Sequence, residues 1–238
     1  MKIALIGYGK MGKAIEEIAL QQGHTIVLKI NSHNKELLTA SSLQKADVAI
    51  EFTTPESAIE NIECCLQAGI PLVCGTTGWI HALPEIQARC ATLNGSMVYA
   101  SNFSIGVNLF FELNSRLASL MANQLQYEVI LEEIHHTQKK DAPSGTALTL
   151  ANEILAHTKK KKQWVNDISD NPEDLEIISQ RIDPTPGTHR VKYASVVDDI
   201  EIIHTAHNRT GFAAGAVLAA NFLKDKKGIY TMKDVLGL

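Results

Sequence analysis

The hydrophobic pattern changes character once along the chain. Residues 1–103 repeat one unit: a short β-rich run, a loop, then apolar positions spaced three and four apart. The runs at 2–6, 26–30, 48–52, 71–74 and 97–100 start about 22 to 26 residues apart, the length of a strand plus a crossover helix. Helices between them are marked by Ala14, Ile15, Ile18 and Ala19, by Ala58, Ile59, Ile62, Cys65 and Leu66, and by Leu83, Ile86 and Ala91. Strands that return in one direction through helices predict a parallel sheet covered on both faces, a Rossmann-like α/β fold.

After Asn102 the pattern differs. Val107, Phe110, Leu113, Leu117, Leu120 and Met121 fit one helix, residues 127–134 a strand, and Leu148, Ala151, Ile154 and Leu155 a second helix. Three extended runs, 177–181, 190–197 and 200–206, follow with no helical pattern between them, which predicts an α+β domain with an antiparallel sheet. Residues 212–223 are apolar on too many faces for a surface helix and are expected to pack back on the first domain. The expected organisation is a discontinuous nucleotide domain of residues 1–103 and 209–238, with residues 104–208 inserted as a substrate domain.

Composition excludes more than it selects. The chain has 238 residues, 45% hydrophobic and 20% charged, and no apolar run approaches the roughly 20 residues of a membrane span. A net charge of -4 gives no electrostatic case for nucleic acid, and the one basic block, 159–162, reads as a solvated helix end. The opening Met1-Lys2-Ile3-Ala4-Leu5-Ile6-Gly7 is too short for a signal-peptide core and reads as a first strand in a cytoplasmic protein. Cys64, Cys65, Cys74 and Cys90 show no C-x-x-C pair or metal-ligand spacing, so buried free thiols and no metal are expected.

Chemistry concentrates in loops. Gly7-Tyr8-Gly9-Lys10-Met11-Gly12 lies between the first strand and first helix, where a tight turn lets backbone N–H groups meet a pyrophosphate. At the end of the second strand, where a carboxylate usually holds the NAD ribose, stands Asn31; this allows a 2′-phosphate, with Lys35 or His33 as its partner. Gly75-Thr76-Thr77 and Ala100-Ser101-Asn102-Phe103 follow the fourth and fifth strands, at the edge where open α/β sheets bind ligands. The most informative stretch runs Glu132-Glu133-Ile134-His135-His136-Thr137-Gln138-Lys139-Lys140-Asp141-Ala142-Pro143-Ser144-Gly145-Thr146-Ala147. Its paired histidines offer a proton donor that titrates near neutrality, Lys139 a fixed cation, and Ser144-Gly145-Thr146 the free N–H groups of a helix start, which suit a carboxylate. Either His135 or His136 fits the donor role.

This stretch resembles the E-x-x-H-H-x-x-K-x-D-A-P-S-G-T-A signature of the 4-hydroxy-tetrahydrodipicolinate reductase family. The resemblance implies an enzyme of the diaminopimelate route to lysine that reduces 4-hydroxy-tetrahydrodipicolinate with NADPH or NADH. It implies His135 as proton donor, with Lys139 completing the catalytic set and His136, Gly145 and Thr146 contacting a dicarboxylate substrate. It also implies cofactor contacts from the glycine loop, from Gly75-Thr76-Thr77 and from residues 100–103, and a homotetramer formed through the inserted domain. Arg181, Pro186-Gly187-Thr188-His189 and His207-Asn208-Arg209 resemble further family features, with Asp183 standing where a glycine is usual. Structural roles suffice for these: a tight turn, Arg209 bridging domains, and Gly215 in close helix packing. Two other readings are a different nicotinamide oxidoreductase of this architecture and a non-catalytic nucleotide sensor.

Overall fold

A computed structural model describes residues 1–208 and 210–238; Arg209 lies outside the described residues. By its internal contacts the chain forms two compact units, one of Met1–Ile105 with Thr210–Leu238, the other of Gly106–Arg209.

The first unit runs β1 (Lys2–Ile6), α1 (Lys10–Gln21), β2 (Thr25–Ile30), a short α2 (Ala40–Leu43), β3 (Val48–Glu51), α3 (Pro55–Ala68), β4 (Leu72–Cys74), α4 (Leu83–Thr92) and β5 (Ser96–Tyr99). Helix α3 shows why these boundaries fall where they do. Pro55 occupies its first turn, where no N–H is required, and Gly69 ends it at φ 70°, a left-handed conformation that glycine adopts without strain. The strands pair in parallel in the order β2-β1-β3-β4-β5.

The second unit begins with α5 (Ile105–Met121), then β6 (Glu128–His135), α6 (Gly145–His157), β7 (Gln163–Val165), β8 (Asp174–Arg181), β9 (Gly187–Ala194) and β10 (Asp199–Ala206). The chain then returns to the first unit with α7 (Thr210–Phe222), β11 (Gly228–Tyr230) and a short α8 (Met232–Leu236). Strand β11 extends the first sheet beside β5, a strand the sequence pattern had not shown. Helix α7 packs with Ala213, Ala216, Val217 and Ala220 against Ile3, Leu5, Ile15 and Val98, burying its apolar faces.

The inserted sheet departs from the expected antiparallel form. Its order is β10-β9-β6-β8-β7; β9 runs antiparallel to β10 and β6, but β8 runs parallel to β6, and β7 parallel to β8. The cause is α6, which carries the chain back after β6 so that β8 enters in the same direction. Consecutive strands β8 and β9 therefore flank β6 instead of pairing with each other. The basic block is also different from expectation: α6 ends at His157, Lys160 and Lys161 pair with Glu128, Lys162 pairs with Glu173, and Lys161 is buried.

Candidate active site

Parallel register explains why separate loops of the first unit share an edge. Ile6 pairs with Ile30 and Glu51, Glu51 with Cys74, and Cys74 with Tyr99. The next residues, Gly7, Asn31, Phe52, Gly75 and Ala100, therefore form one row beyond the carboxyl ends of the strands. Strand order reverses between β1 and β3, the switch point where such sheets bind ligands. A cavity of about 570 Å³ opens there, lined by Gly7, Tyr8, Gly9, Asn31, His33 and Lys35, and from the other side by residues of the β3–α3 turn such as Thr53 and Ser57.

The backbone fits a dinucleotide. Gly7 has φ 95°, and a Cβ there would sit 1.9 Å from the Phe52 carbonyl oxygen, so only glycine serves. At Gly12 a Cβ would lie 2.3 Å from the Gly7 oxygen, so α1 starts close against its own loop. Lys10, Met11 and Gly12 belong to that first turn and do not line the cavity. Asn31 is held in the loop, its Oδ1 accepting the His33 N–H at 2.8 Å. Lys29 is not free for a phosphate: its Nζ lies 2.6 Å from Glu16, which also accepts from the Tyr8 hydroxyl. Lys35 is exposed at the cavity.

Sequence reading overlooked what joins the turns. Buried Glu51 accepts from the Thr76 hydroxyl at 2.9 Å and from the Thr53 N–H at 3.1 Å, and Thr76 Oγ1 also accepts that N–H at 2.7 Å. Gly75 is required because a Cβ would lie 2.1 Å from the Phe52 ring. Phe103 is buried with its ring 5.7 Å from Phe52, Asn102 Oδ1 accepts the Ser104 N–H, and Thr77 and Ser101 are exposed.

In the second unit, alternation along β6 turns Val129, Leu131, Glu133 and His135 to the buried face. Register then sets out rows across the sheet. Leu131 lies between Ile177 and Val191, and Glu133 lies between Ser179 and His189, with His204 beyond His189. His135 stands beside Arg181, with Gly187 near its other side. The face thus passes from apolar to ionic within two rows. A Cβ at Gly187 would lie 3.1 Å from His135 Nε2, so the missing side chain leaves that nitrogen room.

Glu133, fully buried, is the centre of this arrangement. It accepts the Ser144 N–H at 3.1 and 3.2 Å and the Ser179 hydroxyl at 2.8 Å, and Arg181 Nη2 lies 3.2 Å away. Its Oε2 is 3.4 Å from His135 Nδ1 and 3.7 Å from His189 Nε2. Burial alone would push this carboxyl up, but hydrogen bonding by His189, Ser144 and Ser179, with the charge of His135, holds it well below the usual carboxylate range. Burial lowers His135 to about 4; Glu133 opposes that shift, while His189, Lys139 and Arg181 add to it. Glu133, His135 and His189 place ligand atoms within 4.8 Å of one another, but Arg181 and the Ser144 N–H already occupy the carboxylate, which argues against a cation there.

The loop after β6 carries the remaining predicted residues. His136 is half-buried, and its carbonyl accepts the Lys139 N–H in a turn. Lys139 Nζ is paired with both Asp141 oxygens at 2.7 and 2.8 Å. Arg181 Nη2 donates to the Asp141 carbonyl, and Asp183, the departure from the family pattern, accepts the N–H and hydroxyl of Thr137. Ser144 caps α6 by accepting the Ala147 N–H, leaving Gly145 exposed and Thr146 half-buried in the first turn. The structure therefore groups His135, His136, Lys139, Gly145 and Thr146 on one end of the second sheet, and adds Glu133, His189 and Arg181, which spacing alone did not assign.

Comparison with known proteins agrees with this geometry. The family descriptions "Dihydrodipicolinate reductase, N-terminus" and "Dihydrodipicolinate reductase, C-terminus" match residues 1–103 and 106–236. A 4-hydroxy-tetrahydrodipicolinate reductase of Christiangramia forsetii is 50% identical over 238 residues, covering 99% of this chain and 98% of that one. One from Zymomonas mobilis is 37% identical over 251 residues, covering 100% and 98%. Among solved structures, a dipicolinate-bound dihydrodipicolinate reductase from a Paenisporosarcina species superposes with TM-score 0.78 over 97% of each chain at 24% identity, a likeness of fold.

Proposed function

Because the chain belongs to the dihydrodipicolinate reductase family, we propose that it reduces 4-hydroxy-tetrahydrodipicolinate to tetrahydrodipicolinate with NADPH or NADH, in the diaminopimelate route to lysine. The observation that carries the reading is the end of the second sheet, where a buried imidazole, a lysine and a helix start lie along one stretch of chain, groups whose chemistry suits an anion and a proton donor. One hydride and one proton enter the substrate and its hydroxyl leaves as water. When bound, the nicotinamide supplies the hydride.

The chain supplies everything else. The loop of Gly7, Tyr8 and Gly9, with the start of α1 at Lys10, Met11 and Gly12, holds the pyrophosphate, and Asn31 and Lys35 meet the adenosine ribose. Gly75, Thr76, Thr77, Ala100, Ser101, Asn102 and Phe103 line the nicotinamide side, Phe103 through its backbone because its ring is buried. In the second unit Lys139 exchanges Asp141 for a substrate carboxylate, while His136 and the N–H groups of Gly145 and Thr146 hold the substrate. His135 delivers the proton from Nε2. The division of labour is a nucleotide domain, residues 1–103 and 209–238, and a substrate and oligomerisation domain, residues 104–208.

A cytoplasmic homotetramer is the assembly we favour. Among the described residues no helix is long and apolar enough to cross a membrane. The outer face of the second sheet presents Ile203, half exposed, beside the Glu132–Arg190 and Lys192–Asp199 ion pairs, a surface suited to a second sheet. The reading is tested by following loss of nicotinamide absorbance with freshly generated 4-hydroxy-tetrahydrodipicolinate. Turnover that depends on substrate supports it; none with either cofactor overturns it.

A further inference from the structure

Burial lowers His135, the ring read above as the proton donor, to about 4, which favours its neutral form near neutral pH. His135 and His189 lie edge to face with ring centroids 5.1 Å apart, both against the same oxygen of Glu133. Among the described residues neither Nδ1 has a hydrogen-bond partner, although both are buried. The charged and titratable groups around the His135 ring come from every neighbouring element. They are Glu133 and His136 on and after β6, Arg181 on β8, His189 on β9 with His204 behind it on β10, Lys139 and Asp141 in the following loop, and Asp183 in the β8–β9 turn. In the ligand-free state Arg181 and Lys139 pair with Glu133 and Asp141, Asp183 is engaged by Thr137, and burial, with His189, Lys139 and Arg181, outweighs the pull of Glu133 towards a further positive charge on His135. A dicarboxylate changes that count by two negative charges.

We propose that binding of the dicarboxylate substrate draws one proton from solvent onto His135, and that Glu133 is the positioning residue that makes this possible. This rests on the reading of His135 and Lys139 as the dicarboxylate site. Glu133 Oε2 lies 3.4 Å from Nδ1, without a formed hydrogen bond in the ligand-free chain but placed to favour the Nδ1–H tautomer, which leaves Nε2 to face Gly187. When the dianion engages Lys139 and the start of α6, Nε2 takes a proton and the ring becomes an imidazolium held between two anions. The Nε2–H bond then breaks as the proton passes to the carbanion left by hydride addition, and the ring returns to the Nδ1–H form. The proton consumed in each turnover is thus carried in with the substrate. His189 supports Glu133 from the neighbouring strand together with Ser144, whose Oγ lies 3.1 Å from His189 Nε2.

The test is calorimetry on the full chain with NADPH bound, titrated with pyridine-2,6-dicarboxylate in buffers of low and high ionisation enthalpy. We expect uptake of about one proton per ligand near neutral pH, with affinity rising about tenfold for each unit fall in pH between about 8 and 7. His135→Gln and Glu133→Gln should still bind, more weakly, with no uptake and a flat pH profile, while His189→Asn and Glu133→Asp should retain uptake. Binding by wild type with no proton uptake overturns the proposal and leaves the dicarboxylate site intact. Uptake that survives in His135→Gln but disappears in His189→Asn places the proton on the other ring and also overturns it. No binding by wild type removes the site itself. A Glu133→Gln chain that does not fold leaves the decision to His135→Gln and Glu133→Asp.

Discussion

Lys139→Ala should lower turnover by about 100 to 10,000-fold with NADPH affinity little changed, because the residue lies in the second unit and the glycine loop in the first. Stopped-flow turnover with fluorescence titration of NADPH checks this; turnover near wild type removes Lys139 from the reaction. Acid stability gives a second residue-level test. A histidine whose folded value is lowered adds stability above its unfolded value of about 6.5, and that stability is lost as pH falls towards the folded value. With His135 lowered to about 4, the melting temperature should fall between about pH 6.5 and 4, and fall less in His135→Gln. Equal slopes in the two proteins would contradict a buried neutral ring. At this scale the sequence placed His135, His136 and Lys139 together because one short stretch at the end of β6 carries them. Glu133, Ser179, His189 and Arg181 form their cluster through strand register, which spacing cannot supply.

Among the elements, five of the six strands of the first sheet were legible because they recur as short apolar runs at a spacing of about 22 to 26 residues. β7 and β11 escaped notice because, although β4 is equally short at three residues, β4 falls at the repeat spacing of the first unit and they do not. The direction of β8 was misread because α6 reverses the chain before it. Element geometry makes two predictions. The loop after β2 presents Asn31 without a repelling carboxylate and Lys35 exposed at the cavity, so NADPH should serve at least as well as NADH, by about fivefold at most. Asn31→Glu should reverse that bias in kcat/KM; an unchanged ratio shows that this loop does not read the 2′ position. At the start of β9, Gly187→Ala should cost about 10- to 100-fold in kcat by crowding His135 Nε2, while the strand, whose backbone any residue can adopt, should fold normally. A variant with full activity would show that this nitrogen needs no such space.

For the whole molecule, Ile203→Lys on the outer face of the second sheet should convert the expected four-chain mass to a smaller one by light scattering, since a lone lysine there desolvates poorly. A wild-type monomer would already defeat the expectation. The split of the first unit has a further consequence, in time rather than space. Strand β11 pairs Gly228 with Ser96, and α7 lies so close that a Cβ at Gly215 would fall 1.7 Å from the Phe103 carbonyl oxygen. During synthesis the contiguous second unit can close soon after its last strand leaves the ribosome. The nucleotide-binding sheet, although made first, keeps an open edge at β5 and a bare apolar face on β1 and α1 until residues 210–238 emerge. The first part of the chain to be translated is therefore the last to be finished, and it is this half that a nascent-chain chaperone has most reason to cover.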